Sequence, residues 1–284
     1  MMQHLTGVDL FNAVMMHHKV DQRLVLLVEC SEDCGVVDPH LNETDLQSYP
    51  GYGKKSVVEA AGLLDANGVT SIAPIVDADF DRFTGADKTY TANVILTEFY
   101  DIDADVMFHC PDMIKSVTYN FSSHADYSAY STTWSISAAD LVTRLSLSVG
   151  VLRYLSVTHS VGLFLRNFPM HRALDGFEAG SLHSFVLAMG VMRSSAGVTP
   201  PTVADMEATL APWSDRRLLC SGHDLVGALG ALIRGRWGGA NVGNEVLAGA
   251  LRAAVSCACW SRTVVFAAVR DWAQTFGVVA WTCA

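Results

Sequence analysis

Ser71-Ile72-Ala73-Pro74-Ile75-Val76-Asp77-Ala78-Asp79-Phe80-Asp81 holds an apolar run that ends in three carboxylates at alternating positions. A short apolar segment bounded by polar residues is the pattern of a strand buried on both faces. Alternate side chains of a strand point the same way. A strand geometry that continued past Val76 would therefore project Asp77, Asp79 and Asp81 together from its carboxyl end. Like charges held that close repel and shift one another's pKa values unless a cation lies between them. Oxygen-only donors favour Mg²⁺, Mn²⁺ or Ca²⁺ over zinc or copper. An isolated Asp-x-Asp is also a common turn, so the surrounding elements have to decide between the two.

Working outward, Leu24-Val25-Leu26-Leu27-Val28-Glu29 is a second apolar run that ends in an acid, and Asn93-Val94-Ile95-Leu96 is a third, ending near Glu98. Helical spacing precedes the first run at Val8 to Met15. Ser31-Glu32-Asp33 opens a helix that stops near Pro39. Gly51-Tyr52-Gly53-Lys54-Lys55 is a turn, Ser56 to Leu64 is a helix ended by Asn67-Gly68, and Asp101 to Met107 opens another helix with acids at its positive end. Strands alternating with helices over about 100 residues predict an α/β fold with a parallel sheet flanked by helices. Ligands of such sheets sit at the carboxyl ends of the strands. Glu29, Asp77, Asp79, Asp101 and Asp103 all fall at or just past those ends and form one candidate site. On this reading Asp81 and Asp105 face solvent.

Residues 1–120 are read as the α/β domain, 121–137 as a Ser/Thr/Tyr-rich linker or insertion with little regular structure, and 138–284 as a mainly α-helical region for interaction or dimerisation. In the last part helical periodicity runs over Leu141 to Thr158, Val161 to Phe168, Leu182 to Met192, Ser221 to Arg234, Val242 to Ala258 and Ser261 to Phe276, with a break at Ala196 to Pro201. Ser221-Gly222-His223-Asp224 has the shape of a capping box. Trp237, Trp260 and Trp272 are read as core or interface side chains.

Half the residues are hydrophobic and 17% are charged, a globular balance. No apolar run of membrane-spanning length lacks a charge, and the first residues have no secretion-signal pattern, so a cytoplasmic, non-membrane protein is expected. The seven cysteines form no Cys-x-x-Cys pair and are read as reduced thiols, neither a disulfide framework nor a zinc site. The scattered histidines are assigned no metal. The net charge of −10 is uneven: residues 1–142 hold 21 acidic and 7 basic side chains, while residues 143–284 hold 8 acidic side chains and 12 basic ones, all arginine. Those arginines suit either a polyanion or ion pairs with the acidic half. Gly235 to Gly239 lacks the Gly-Lys-Ser/Thr of a P-loop, so no ATP site is read.

Val28-Glu29-Cys30-Ser31-Glu32-Asp33, Gly53-Lys54, Ile75 to Asp81 and Phe99-Tyr100-Asp101-Ile102-Asp103 together resemble the Toprim domain, the acidic metal-binding module of topoisomerases, primases and OLD-type nucleases. More narrowly they resemble a Toprim-like family of bacterial proteins that includes the nuclease partner of an ABC-type ATPase in phage defence. Gly222-His223-Asp224-Leu225 and the region of Leu251, Phe266 and Trp272 look similar too. The family pattern has Gly after the first Glu, where this chain has Cys30, and often Glu where this chain has Asp103. The resemblance implies a Toprim-like sheet. It implies a Mg²⁺-dependent (or Mn²⁺-dependent) nuclease cutting phosphodiesters of DNA, or of RNA such as tRNA, as a toxic effector under an ATPase partner. Glu29, Asp77 and Asp79 would be catalytic, and Glu29, Asp33, Asp77, Asp79, Asp101 and Asp103 would hold metal. Lys54 and His223 are weaker candidates for phosphate contact, and a homo-oligomer is possible. The competing expectation is a non-catalytic Toprim scaffold that senses or recruits. Topoisomerase or primase activity would need further domains.

Overall fold

The computed structural model describes residues 6–194, 199–239 and 241–283. The chain forms two compact units, residues 1–109 with 255–284, and residues 110–254.

The first unit is α/β. It runs α1 (Gly7–Val20), β1 (Leu24–Val28), α2 (Ser31–Val37), β2 (Leu46–Pro50), α3 (Lys54–Ala66), β3 (Ile72–Val76), α4 (Asp81–Thr84), β4 (Ile95–Leu96) and α5 (Ile102–His109). Every strand pairing is parallel and the sheet order is β2-β1-β3-β4. All five residues of β1 and of β3 are buried. Val25 and Leu27 of β1 pack with Leu10 and Val14 of α1 and Val57, Ala60 and Leu64 of α3. Leu24, Leu26 and Val28 point to the opposite face, because side chains alternate along a strand. Burial on both faces explains the unbroken apolar sequence of β1 and β3.

The order of the strands places the site. After β1 the chain steps to β2 on one side and then returns past β1 to β3 on the other. That reversal opens a crevice at the carboxyl ends of β1 and β3, the place where open parallel sheets bind ligands. Glu29 follows β1 and Asp77 follows β3.

The second unit is helical: α6 (Pro111–Phe121), α7 (His124–Trp134), α8 (Ala138–Thr158), α9 (Met170–Glu178), α10 (Leu182–Met192), α11 (Val203–Leu210), α12 (Gly222–Gly235) and α13 (Asn244–Ala253). Helix α8 is central and packs against α6, α9, α10, α11 and α12. Gly150 is required there, since a Cβ would lie 1.9 Å from the Leu219 carbonyl oxygen. The remaining helices, α14 (Cys257–Trp260) and α15 (Val264–Gln274), belong to the α/β unit, where α15 packs on β4 and β3.

Several expectations need correction. Residues 121–137 are no irregular linker, because most of them form α7, with Ser123 accepting a hydrogen bond from Asp126 N at its start. The segment from Val255 groups with the α/β unit, not with the helical region. Val161 to Phe168 is not helical; Gly162 has a left-handed φ of 66° and Leu163 makes an antiparallel bridge to Ser194. The helix read over Val242 to Ala258 is split into α13 and α14. Helix α2 does stop near Pro39, as read: it ends at Val37, and Pro39 lies in the 3-10 turn Asp38–His40 that follows. Strand β2 was not expected at all. The break at Ala196 to Pro201 falls partly outside the described residues. Cys257 and Cys283 are joined by a disulfide, against the expectation of reduced thiols. Trp237 and Trp260 are fully buried, as read. Among the described residues, no single helix is long and apolar enough to cross a membrane.

Candidate functional site

The crevice is built from four loops. The turn between β2 and α3 is drawn against β1 by two hydrogen bonds, Gly51 N to Val28 O (2.7 Å) and Gly53 N to Glu29 O (2.9 Å). Glycine is needed twice here. A Cβ on Gly51 would lie 2.5 Å from Val57 and 2.9 Å from the Val28 carbonyl oxygen, and Gly53 has a left-handed φ of 91°. This turn delivers Lys54, the first residue of α3, to the site.

The loop after β3 is pinned by buried Thr97, whose hydroxyl accepts from Ala78 N (2.8 Å) and donates to Phe99 O (2.9 Å). Asp79 N donates to Tyr100 O (2.7 Å), and Asp79 itself is left-handed with φ 44°. Strand geometry therefore ends at Val76, and Asp77, Asp79 and Asp81 do not project in register as a continued strand would require.

Glu29 and Asp77 are interlocked. Glu29 Oε1 accepts from Asp77 N (2.9 Å), and Asp77 Oδ1 accepts from Ile102 N (3.2 Å). The three strand ends after β1, β3 and β4 are thus stitched together through two carboxylates. Asp33 Oδ2 accepts from Cys30 N (3.0 Å) at the start of α2, and Asp101 Oδ1 accepts from Ala104 N (2.8 Å) at the start of α5. Cys30 has an extended φ of −149°, so the place held by Gly in the Toprim pattern makes no demand here that Cys fails to meet. Asp103 lies in the first turn of α5.

No protein-family model, curated protein or solved structure matches this chain. The site is therefore read from its own electrostatics.

Burial pushes the Glu29 carboxyl up to about 7, against the pull of the Asp77 N–H, and the charges of Asp79 and Asp33 add to the rise. Burial likewise pushes Asp77 well above the ordinary carboxylate range, reinforced by Asp101, Glu29, Asp33 and Asp79. Five carboxylates thus act on one another around the β1–β3 crevice. Among the described residues, Lys54 brings a cation to them. Lys54 Nζ lies 2.8 Å from Asp79 Oδ2 and also pairs with Asp81, and its side chain is 19% exposed. Burial pulls the Lys54 ammonium down, but Asp79 and Asp81 outweigh it and its net shift is upward. Lys54 is therefore not the solvated lysine of a surface turn.

Among the described residues, no three carboxylates offer oxygens close enough together to form a ready-made metal cage. The donor chemistry does fit a hard divalent cation: half-buried carboxylates of one sign, two of them pushed towards neutrality, gain most from an added positive charge. Glu29, Asp33, Asp77, Asp101 and Asp103 are the carboxylates that would hold such an ion. Asp79 could join only by giving up Lys54.

Asp81 is a further correction: it is mostly buried, pairs with Lys54, and accepts from Tyr90 OH (2.6 Å). Asp105 does not face solvent either. It is fully buried and accepts from Glu98 N (3.0 Å) and Phe99 N (2.7 Å), holding the β4–α5 turn, with burial pushing its carboxyl up to about 6. His223 belongs to the helical unit, where its Nε2 lies 3.2 Å from Asn167 Oδ1. Ser221 caps α12 by accepting from Asp224 N (3.1 Å), as its motif suggests. The arginines of the helical unit largely pair within it: Arg153 with Asp224, Arg236 with Asp175 and Glu178, and Arg217 with Asp215. Sequence reasoning missed the roles of Thr97 and Asp105. A buried capping carboxylate and a surface one look alike in sequence.

Proposed function

We propose that the chain is a Mg²⁺-dependent nuclease of Toprim type that cleaves phosphodiester bonds in nucleic acid, acting as a toxic anti-phage effector under the control of an ATPase partner. The observation that carries the hydrolytic reading is the interlocked pair Glu29 and Asp77 at the switch point of the sheet, both driven towards protonation by burial and by neighbouring acids. The Toprim resemblance of Val28–Asp33, Ile75–Asp81 and Phe99–Asp103 supports the narrower assignment, and it alone supports the ATPase partner and the defence role.

These carboxylates would hold Mg²⁺, which would supply charge neutralisation at the phosphate. Burial raises the Glu29 carboxyl to about 7 in the metal-free protein, and a bound cation would return it to the carboxylate, the form that can accept the proton of an attacking water. Asp77 orients Glu29 through its backbone N–H and fixes the start of α5 through its own carboxylate. Lys54, once a phosphate approaches, exchanges Asp79 for a phosphate oxygen and places its ammonium on the substrate.

The test is cleavage of plasmid DNA and of total tRNA by the purified full-length chain with Mg²⁺. Wild type cuts at least one of them, and Glu29→Ala and Asp77→Ala lose cutting by a factor of about 10³ or more, on the scale of a lost catalytic base or metal ligand. Undiminished cutting by both variants would reject this site. A second reading is favoured by one observation: Lys54 already neutralises Asp79 and Asp81. On that reading the unit is a scaffold with a structural cation, and Mg²⁺ binding without cleavage, with the ATPase partner present, selects it.

A further inference from the structure

Residues 40–42 and 279–283 of the α/β unit run side by side. Leu41 and Trp281 form an antiparallel bridge. Asn42 N donates to Ala280 O (2.9 Å), Asn42 Nδ2 to Val279 O (3.0 Å), and Thr282 N and Oγ1 both donate to His40 O (2.8 and 3.1 Å). This ladder brings His40 beside Cys283. Helix α14 brings Cys257 to the same place. His40 is 4% exposed, and its ring stacks on Trp260 at a centroid distance of 5.7 Å and an interplanar angle of 15°. His40 Nδ1 lies 3.4 Å from Cys283 Sγ and 3.9 Å from Cys257 Sγ. Among the described residues Nε2 is buried with no hydrogen-bond partner, and the sulfur pair lies beside the other ring nitrogen. One nitrogen and two sulfurs thus lie within 4.8 Å of one another. The indole of Trp260 covers one face of the His40 ring.

We propose that His40, Cys257 and Cys283 form a second cation site, which takes a zinc-class divalent ion when the Cys257–Cys283 disulfide is reduced. Imidazole and thiolate are soft or borderline donors that select zinc over magnesium, the reverse of the carboxylates at the sheet. Burial lowers the basicity of His40, and the neutral imidazole is the form that ligates metal. The reduction balances with a dithiol as reductant. The dithiol gives two electrons and two protons to the Cys257–Cys283 bond and itself becomes a disulfide. Each new thiol then releases one proton to solvent as its sulfur bonds the metal. The sulfurs move apart to the roughly 3.8 Å spanned by two tetrahedral ligands at about 2.3 Å from zinc, and a water takes the fourth position. In an oxidising compartment the same two sulfurs stay joined, and the ladder between residues 40–42 and 279–283 is held covalently instead.

The test uses the full-length chain, reduced with a phosphine, stripped of metal and then titrated with Zn²⁺ against a chromophoric chelator. The reduced chain takes up one tight equivalent, and the diamide-oxidised chain takes up none. Cobalt(II) in place of zinc gives thiolate-to-metal charge-transfer absorption. Cys257→Ser, Cys283→Ser and His40→Gln each weaken binding at least tenfold. Asp77→Asn keeps it, which separates this site from the acidic one. Because a variant could fail to fold, wild type alone supplies a second readout: zinc must protect Cys257 and Cys283 from alkylation, as mapped by mass spectrometry. No zinc equivalent in the reduced chain, protection of other thiols only, or full binding by a folded Cys257→Ser/Cys283→Ser variant overturns the proposal.

Discussion

Acidic side chains meet opposite fates in the two units. In the helical unit Asp224 is 2% exposed and lies 2.7 Å from Arg153. There too Arg236 donates to Glu178 at 2.6 and 2.8 Å and holds the Glu178 carboxyl below its usual range. In the α/β unit Glu29 accepts from Asp77 N and Asp77 accepts from Ile102 N, and their charged surroundings are mainly other acids. The nearby ammonium of Lys54 is engaged by Asp79 and Asp81. The same residue type is thus satisfied in one unit and frustrated in the other. Frustrated carboxylates store free energy that a bound cation can release, and satisfied ones have nothing to offer a ligand.

The contrast can be broken most directly at the buried ion pair. Arg153→Ala leaves Asp224 charged and buried, and should cost about 3–5 kcal/mol in denaturant unfolding, with hydrogen exchange accelerated in α8 and α12. A cost below about 1 kcal/mol would mean that Asp224 does not depend on its arginine. In the α/β unit the sign should reverse. Glu29→Gln and Asp77→Asn should each stabilise the metal-free protein by about 1–3 kcal/mol while abolishing stabilisation by Mg²⁺. Destabilisation of similar size would show that these acids are structural. The pH response sharpens the same point. The folded-state pKa of Glu29 is raised from 4.5 to about 7, so its contribution is fully present below 4.5 and lost as pH rises through 7. Metal-free protein should therefore melt lower at pH 8 than at pH 5 in the α/β unit, and millimolar Mg²⁺ should close the gap. The smallest effect is expected at Glu178. Its pKa is depressed, so its contribution is present above 4.5 and lost as pH falls. Arg236→Gln should erase that acid-side loss, worth about 0.5–1 kcal/mol for a partly solvated pair.

Strands β1 and β3 were legible because burial on both faces leaves an uninterrupted apolar run. Strand β2, Leu46-Gln47-Ser48-Tyr49-Pro50, is an edge strand with only Leu46 fully buried, so its composition resembles a loop. Helix α7 was illegible for a related reason. None of its residues is buried, its Ser, Thr and Tyr are indifferent helix formers, and it is held by its cap and by ring contacts of Tyr127 and Tyr130 with Trp237. The position of Glu29 after β1 and of Asp77 after β3 was legible from the apolar runs that precede them. Their roles were not, because the alternation rule stops where the chain leaves the strand, at Asp77. The His40, Cys257 and Cys283 cluster had no local signal, since its members lie 217 and 243 residues apart along the chain.

The α/β unit is assembled from two separated stretches of chain, with residues 110–254 between them. During synthesis the acids from Glu29 to Asp103 leave the ribosome early, whereas α15, which packs on β3 and β4, follows only after the whole helical unit has been made. At ordinary elongation rates the interval is about 10–30 s. For that time the sheet lacks α15 and the crevice stands on an unfinished platform.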